Sequence, residues 1–168
     1  MIVTAVALVA AVNLLSAASV GPGSPAPAKE PLIRISPTAT VVTRVADAST
    51  MLATINAERS SRGVAPLVID ARLSALALAH ADDMGKRSYF GHETPEGLSP
   101  FERMDAVHYP YSYGGENIAL DQSVAAADNA FWKSDGHRAN ILETHFGHIG
   151  LAAVAVTDGE LFVEEFSN

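Results

Sequence analysis

Three glycine-led dipeptides carry the residues whose types could do chemistry: Gly91-His92, Gly115-Glu116 and Gly136-His137. Glycine lets the backbone turn sharply or approach a neighbour closely, so the side chain that follows it can point into a cleft. Two imidazoles and one carboxylate suit either a zinc site or the acid–base pair of a hydrolase. The pattern therefore predicts a functional site and leaves its reaction open.

The composition excludes several classes of protein. The chain has 168 residues, 48% of them hydrophobic, and no cysteine, which suits one sizeable core without thiol chemistry. Its net charge of −8 argues against a nucleic-acid partner, whose phosphates need basic residues. Phosphate-binding loops and dinucleotide fingerprints are also missing from the sequence, so kinase, nucleotide hydrolase and dehydrogenase functions are excluded.

The N-terminal region predicts export from the cytoplasm. Residues 1–20 are uncharged and apolar, and Ser16 and Ala18 suit the small-residue positions before a signal-peptidase cut. A single membrane anchor is the alternative, since the run is close to the length that spans a bilayer. No Lys or Arg follows Met1, but the Ala- and Ser-rich end favours cleavage. Residues 21–45 hold five prolines and predict an extended linker.

From residue 46 onwards the pattern predicts an α+β domain. Capping residues and apolar spacing indicate four helices, with N-caps at Ser49 or Thr50, Asp70, Ser99 and Ser123. Short apolar runs predict strands at residues 117–120, 149–156 and 160–166, and Thr157-Asp158-Gly159 predicts a hairpin between the last two. His80 lies on the apolar face of the second helix and is expected to pack in the core.

Three ordered segments resemble the CAP superfamily: YFGHETPEG at 89–97, GENIA at 115–119 and WKSDGHRANIL at 132–142. This superfamily, also called the SCP domain, groups cysteine-rich secretory proteins, antigen 5 and pathogenesis-related proteins. The chain is most similar to its cysteine-free bacterial secreted branch. The resemblance implies a domain over residues 46–168, folded as a three-layer α/β/α sandwich with a small, mainly antiparallel sheet.

The resemblance also implies a cleft with two histidines and two acids. His92, Glu116 and His137 match three of these positions, and Asp135 stands where animal and plant members carry a longer Glu. His92 and His137 would then be the metal ligands of a weakly held zinc ion, with the remaining positions open to water. Glu116 could orient an imidazole, act as a catalytic base, or accept backbone N–H groups around the turn at 114–115.

These features predict a secreted, monomeric CAP-domain protein with a metal-dependent binding cleft. The expected partner is a small hydrophobic ligand, such as a lipid, or a cell-envelope component, and membrane contact is expected only through an uncleaved N-terminal segment. A metal-assisted hydrolase or peptidase that uses Glu116 in the same cleft is one alternative. A non-catalytic cell-wall interaction domain, in which the polar cluster only stabilises the loops, is another.

Overall fold

The computed structural model describes residues 32–168 and, as backbone, a strand at residues 8–12. The rest of the predicted leader and residues 21–31 of the predicted linker lie outside the described residues. The helices are α1 Val45–Ser61, α2 Ala71–Arg87, α3 Pro100–Ala106, α4 Val124–Lys133 and α5 Asp135–Leu142. The strands are β1 Leu8–Val12, β2 Ile33–Arg34, β3 Val42–Thr43, β4 Val68–Ile69, β5 Tyr89–Phe90, β6 Gly114–Asp121, β7 His148–Val156 and β8 Gly159–Ser167.

The main sheet has the order β1-β6-β8-β7-β3, and β4 pairs in parallel with the start of β7. The other pairings of this sheet are antiparallel. The predicted hairpin is confirmed, because β7 and β8 are joined by a turn at residues 157–158. Gly159 follows that turn with φ of +145°, a conformation that L side chains rarely adopt. Strand β8 lies between β6 and β7.

Both faces of the sheet are covered by helices. On one face α1 and α4 bring Ile55 and Phe131 against Phe162 of β8, and α5 packs on the same side. On the other face Ala77 of α2 packs against Val163. The sheet is therefore the middle layer, which confirms the predicted three-layer α+β sandwich and explains why β8 is buried on both faces.

Helix α2 packs unusually close to β7. Gly150 makes this approach possible, because a Cβ atom there would lie only 2.1 Å from the backbone carbonyl carbon of Leu73. The position therefore excludes every residue with a side chain unless the helix moves. This contact fixes the start of α2 on the outer part of the sheet.

Three predicted helix starts are confirmed by their caps. The Asp70 carboxylate accepts the N–H groups of Arg72 and Leu73, at 2.7 and 3.0 Å. Ser99 forms a capping box with Glu102, and the Ser123 hydroxyl accepts from the backbone of α4. These side chains satisfy N–H groups that the helix itself leaves without partners.

The first helix begins earlier than predicted. It starts at Val45, and the hydroxyl groups of Ser49 and Thr50 donate to the carbonyl oxygens of Val45 and Ala46. The prediction of a cap at Ser49 or Thr50 was wrong, because hydroxyl side chains can also bond the carbonyl one turn back inside a helix.

Residues 32–44 lie against the domain although the sequence predicts a linker there. Strand β2 pairs with β5, strand β3 pairs with β7, and Ile35 is only 8% exposed. Ile35 is thus part of the core, and Leu32 and Val41 pack against it. Within residues 8–12 and 32–168, none of the helices combines the length and apolar character needed to cross a membrane.

Candidate functional site

His92 and Glu116 meet in the interior, as the sequence predicts. His92 follows β5 by two residues, and Glu116 is the third residue of β6. The His92 Nδ1 atom lies 2.6 Å from Glu116 Oε1, and the two side chains are 2% and 0% exposed. A buried carboxylate that bonds an imidazole fixes the orientation of the ring.

Arg103 joins this pair from helix α3. Its Nη2 group donates to Glu116 Oε2 and, at 3.3 Å, to Glu165 Oε1, while its Nη1 group donates to the His92 carbonyl oxygen at 2.7 Å. Glu165 lies directly opposite Glu116 in the β6–β8 register. The guanidinium group thereby connects α3, β6, β8 and the loop after β5. Both glutamates are fully buried, so this is a buried ionic cluster.

The charges of the cluster balance. Burial raises the pKa of Glu165 well above its ordinary value, and the neighbouring charge of Glu116 raises it further. Burial also raises the pKa of Glu116, against the opposing effect of Arg103. Two carboxylates cannot both ionise cheaply beside a single cation in a dry interior. We therefore assign the proton to Glu165, which leaves the anion of Glu116 paired with the cation of Arg103.

His80 supports the loop that carries His92. It is buried on α2 as predicted, and its Nε2 atom lies 3.0 Å from the Gly91 carbonyl oxygen. Burial lowers the pKa of His80 well below its ordinary value, and the charge of Arg103 adds to this effect. A neutral ring then donates its Nε2–H to Gly91 and fixes the backbone next to His92.

His137 packs on the other side of the strand. Its side chain is 2% exposed, its ring centroid lies 5.0 Å from that of Phe131, and its carbonyl oxygen accepts from Asn117 Nδ2 at 3.3 Å. Glu116 and Asn117 are successive strand residues, so their side chains point to opposite faces of the sheet. The surroundings of His92 and His137 therefore belong to different layers, with β6 between them.

Asp135 lies at the surface. Its side chain is 94% exposed, and it accepts from Arg138 Nη2 at 2.5 Å within the same helix. The structure brings His92 and Glu116 together and sets α5, with His137, against the same strand. It does not bring the carboxylate of Asp135 into contact with them.

A second polar chain holds α5 on the sheet. Asn140 donates to Asn117 Oδ1 at 2.9 Å, and Asn117 donates to Glu164 Oε2 at 2.8 Å. Burial raises the pKa of Glu164 to about 8. For Arg103, Glu164 and Glu165 the sequence offers no local signal beyond an acidic pair inside an apolar strand.

The donor set does not form a closed zinc site. Among residues 32–168 no group of three or more His, Asp or Glu side chains is placed to hold a metal ion. Glu116 engages Nδ1 of His92. The two predicted histidines lie on different sides of β6 and are not placed to share one ion, and a single histidine is fewer protein ligands than zinc takes in structural or catalytic sites.

An apolar groove lies apart from the charged cluster, at the outer edge of β7. Strand β4 pairs with β7 at His148–Ile149 and β3 pairs at Val154–Ala155, so neither covers the edge between these pairs. The groove has a volume of about 470 Å³ and runs between α1 and α2, with Leu52, Leu78 and Leu151 in its wall. At its rim Val45 and Ile69 are 72% and 44% exposed. Exposed apolar side chains around a concavity mark a binding surface.

The fold and the buried cluster define the class of protein. The chain belongs to the CAP family, the cysteine-rich secretory protein family, whose model matches residues 52–166. The resemblance of the three segments is thereby confirmed.

Over 112 residues the chain is 40% identical to the uncharacterized protein YkwD of Bacillus subtilis, covering 66% of this chain and 43% of YkwD. It is 31% identical over 97 residues to the uncharacterized membrane protein YlbC of the same organism, covering 57% of this chain and 28% of YlbC. The chain thus spans less than half the length of either relative.

Solved structures share the fold. An extracellular protein with an SCP domain from Bacillus anthracis superposes with a TM-score of 0.66 at 26% identity, covering 74% of this chain and 41% of its own. An outer surface protein of Borrelia burgdorferi gives a TM-score of 0.71 at 22% identity, covering 77% of this chain and 97% of its own. These structural neighbours are described as extracellular or outer surface proteins.

Proposed function

We propose that this protein is an extracytoplasmic, non-catalytic binding module that takes a small hydrophobic ligand in the groove between α1 and α2. The groove carries the proposal: its volume of about 470 Å³ lies within the range of small-molecule sites. Its wall is apolar and its rim holds exposed Val45 and Ile69. The extracellular and outer surface neighbours support the location, as does the apolar N-terminal segment.

The engagement of Glu116 argues against the hydrolase alternative. One carboxylate oxygen contacts His92 and the other contacts Arg103, and the side chain is fully buried. A general base must reach a water molecule or a substrate proton with a free oxygen atom. Glu116 instead stabilises the loop and helix that surround it. This matches the alternative in which the polar cluster has a structural role.

The ligand proposal is tested with a dansyl-labelled fatty acid and the full chain. We expect saturable binding, measured by fluorescence. Ala75 is exposed and lines the groove, so Ala75→Phe fills the groove and should weaken binding by about tenfold or more, equivalent to roughly 1.4 kcal/mol. Ala79→Phe is the matched control, since Ala79 lies one turn further along α2 and lines a different surface.

Two results would overturn this proposal. Wild-type protein that does not bind the probe, or an Ala75→Phe variant that binds it as tightly as Ala79→Phe, removes the groove as the site. Turnover of an ester or peptide substrate by the wild type, abolished in Glu116→Gln, would establish the hydrolase instead.

Zinc binding at His92 is a second candidate, with His137 outside the same coordination sphere because β6 lies between the two histidines. It is supported by the bond from His92 Nδ1 to Glu116, since histidines that bind a metal commonly bond a carboxylate through the other ring nitrogen. Calorimetric titration of the full chain with zinc at about pH 7.5 should give weak binding that falls at about pH 5.5, as imidazoles protonate. The His92→Ala/His137→Ala double variant should not bind. Absence of heat with the folded wild type would exclude this candidate.

A further inference from the structure

Strand β1 covers the outer edge of β6. The two strands are antiparallel, with Leu8 opposite Leu120 and Val12 opposite Glu116. On its other side β6 pairs with β8 along its whole length. Without residues 8–12, the N–H and C=O groups on the outer side of β6 would therefore form an open sheet edge. Such an edge is a template for another extended segment.

The covered edge passes the candidate site. The paired residues of β6 are 116–120, so the pairing ends at Glu116, which bonds His92 and Arg103. Strand β1 also lies beside helix α5, which carries His137. The segment thus occupies a slot between the edge of the sheet and a helix, and the slot borders both predicted histidine positions.

The slot suits a main-chain ligand. Ile118, Ala119 and Leu120 are at most 3% exposed, so little side-chain chemistry is offered along this stretch of β6. Strand addition draws its affinity from main-chain hydrogen bonds, and its specificity comes from the room left for side chains. The occupying sequence, LVAAV, contains only apolar residues. Its three central residues are one β-branched valine and two small alanines.

We propose that the outer edge of β6 is a strand-addition site for extended, small apolar peptide segments, and that residues 8–12 occupy it in cis while the N-terminal segment remains uncleaved. This surface is separate from the α1–α2 groove, so the proposal goes beyond the proposed function. Residues 13–31 join β1 to the domain and include four prolines. This tether gives the segment a high effective concentration at the slot. Peptides in solution therefore compete poorly while residues 8–12 are in place.

The experiment uses the full chain and the variant Ala10→Pro. Ala10 lies opposite Ile118, and proline cannot donate to the ladder, so the substitution weakens the pairing of β1. The probe is a fluorescein-labelled peptide with the sequence of residues 6–14, followed by anisotropy. We expect the variant to bind the probe at least about tenfold more tightly than the wild type. The same peptide with N-methyl groups on its three central residues is the control and should not bind.

Amide hydrogen exchange of residues 116–120 gives a second readout. The amides that face away from β8 should be protected in the wild type, exchange faster in Ala10→Pro and regain protection when the peptide is added. Adding Ala75→Phe to the variant should leave peptide binding unchanged, because the ladder is made of backbone groups of β6 and Ala75 lies in the separate α1–α2 groove. This distinguishes a failure of the strand site from a failure of the ligand groove. Equal peptide affinity for wild type and variant, or β6 amides unaffected by Ala10→Pro, would overturn the proposal.

Discussion

Replacing Arg103 with glutamine should destabilise the fold strongly, because it removes the cation of a buried cluster. Arg103 bonds Glu116, Glu165 and the His92 carbonyl oxygen, and its own side chain is 10% exposed. Breaking a buried ion pair by removing one partner costs about 3–5 kcal/mol. At roughly 2–4 °C per kcal/mol for a chain of this size, the melting temperature should fall by roughly 6–20 °C.

The assay is reversible unfolding in urea and by heat, followed by circular dichroism. Arg103→Lys keeps the charge but loses the two-pronged donor geometry, so its loss should be intermediate. Lys86→Gln is the surface control: Lys86 pairs with Asp82 at 2.9 Å and is 64% exposed, so its loss should stay within about 0–1 kcal/mol.

The pH dependence separates a charge effect from a packing effect. Arg103 is the largest influence opposing the rise in the pKa of Glu116 that burial causes, so the pKa of Glu116 should rise further without it. Protonation of Glu116 then relieves the uncompensated charge, so the difference between wild type and Arg103→Gln should shrink as the pH falls. A loss no larger than that of Lys86→Gln would refute the assigned role of Arg103.

Three further predictions concern other buried positions. The folded-state pKa of Glu164, about 8, lies above its ordinary value of 4.5. The stability that protonated Glu164 contributes is therefore complete below pH 4.5 and is lost as the pH rises through about 8. This pH dependence is worth on the order of a few kcal/mol. Glu164→Gln should remove it from the free energies of unfolding measured between pH 4 and pH 9. Gly150→Ala should cost at least about 1–3 kcal/mol in urea unfolding, because its Cβ would meet the backbone of α2, whereas Gly147→Ala, whose Cβ meets nothing within 4 Å, should be nearly neutral. Arg59→Met should lower the melting temperature by roughly 6 °C or more, since Arg59 is fully buried and donates to four carbonyl oxygens. A pH slope that persists in Glu164→Gln, or unchanged stability in Gly150→Ala or Arg59→Met, would contradict the corresponding contact.

The local features of the fold could be predicted from the sequence because their causes are local. Asp70 caps the helix that begins one residue later, and Thr157 to Gly159 turn between adjacent strands. The start of the first helix was predicted wrongly because Ser49 bonds a carbonyl inside the helix instead of capping it. Such a hydroxyl group can either cap the start of a helix or bond a carbonyl oxygen inside it, and packing decides between the two.

The candidate site was predictable only in part, since its remaining members depend on long-range pairing. The acidic partners of Arg103 lie 13 and 62 residues away along the chain. Nothing in the local sequence distinguishes it from a solvated helix residue. Glu164 and Glu165 point to opposite faces of β8, and both are buried only because helices cover both faces of the sheet. The resemblance to a family located His92 and Glu116 but carried no information about Arg103, the cation that contacts both residues.

The central position of β8 sets the order in which the domain can assemble. Its two neighbours, β6 and β7, precede it in the sequence and pair with it along their whole lengths. Vectorial synthesis or translocation therefore delivers both neighbours before the strand that joins them. Until residues 159–167 arrive, the inner edges of β6 and β7 have no common partner and the two helical layers have no complete surface to pack on. The domain should consequently fold in one late, cooperative step, after its last strand becomes available.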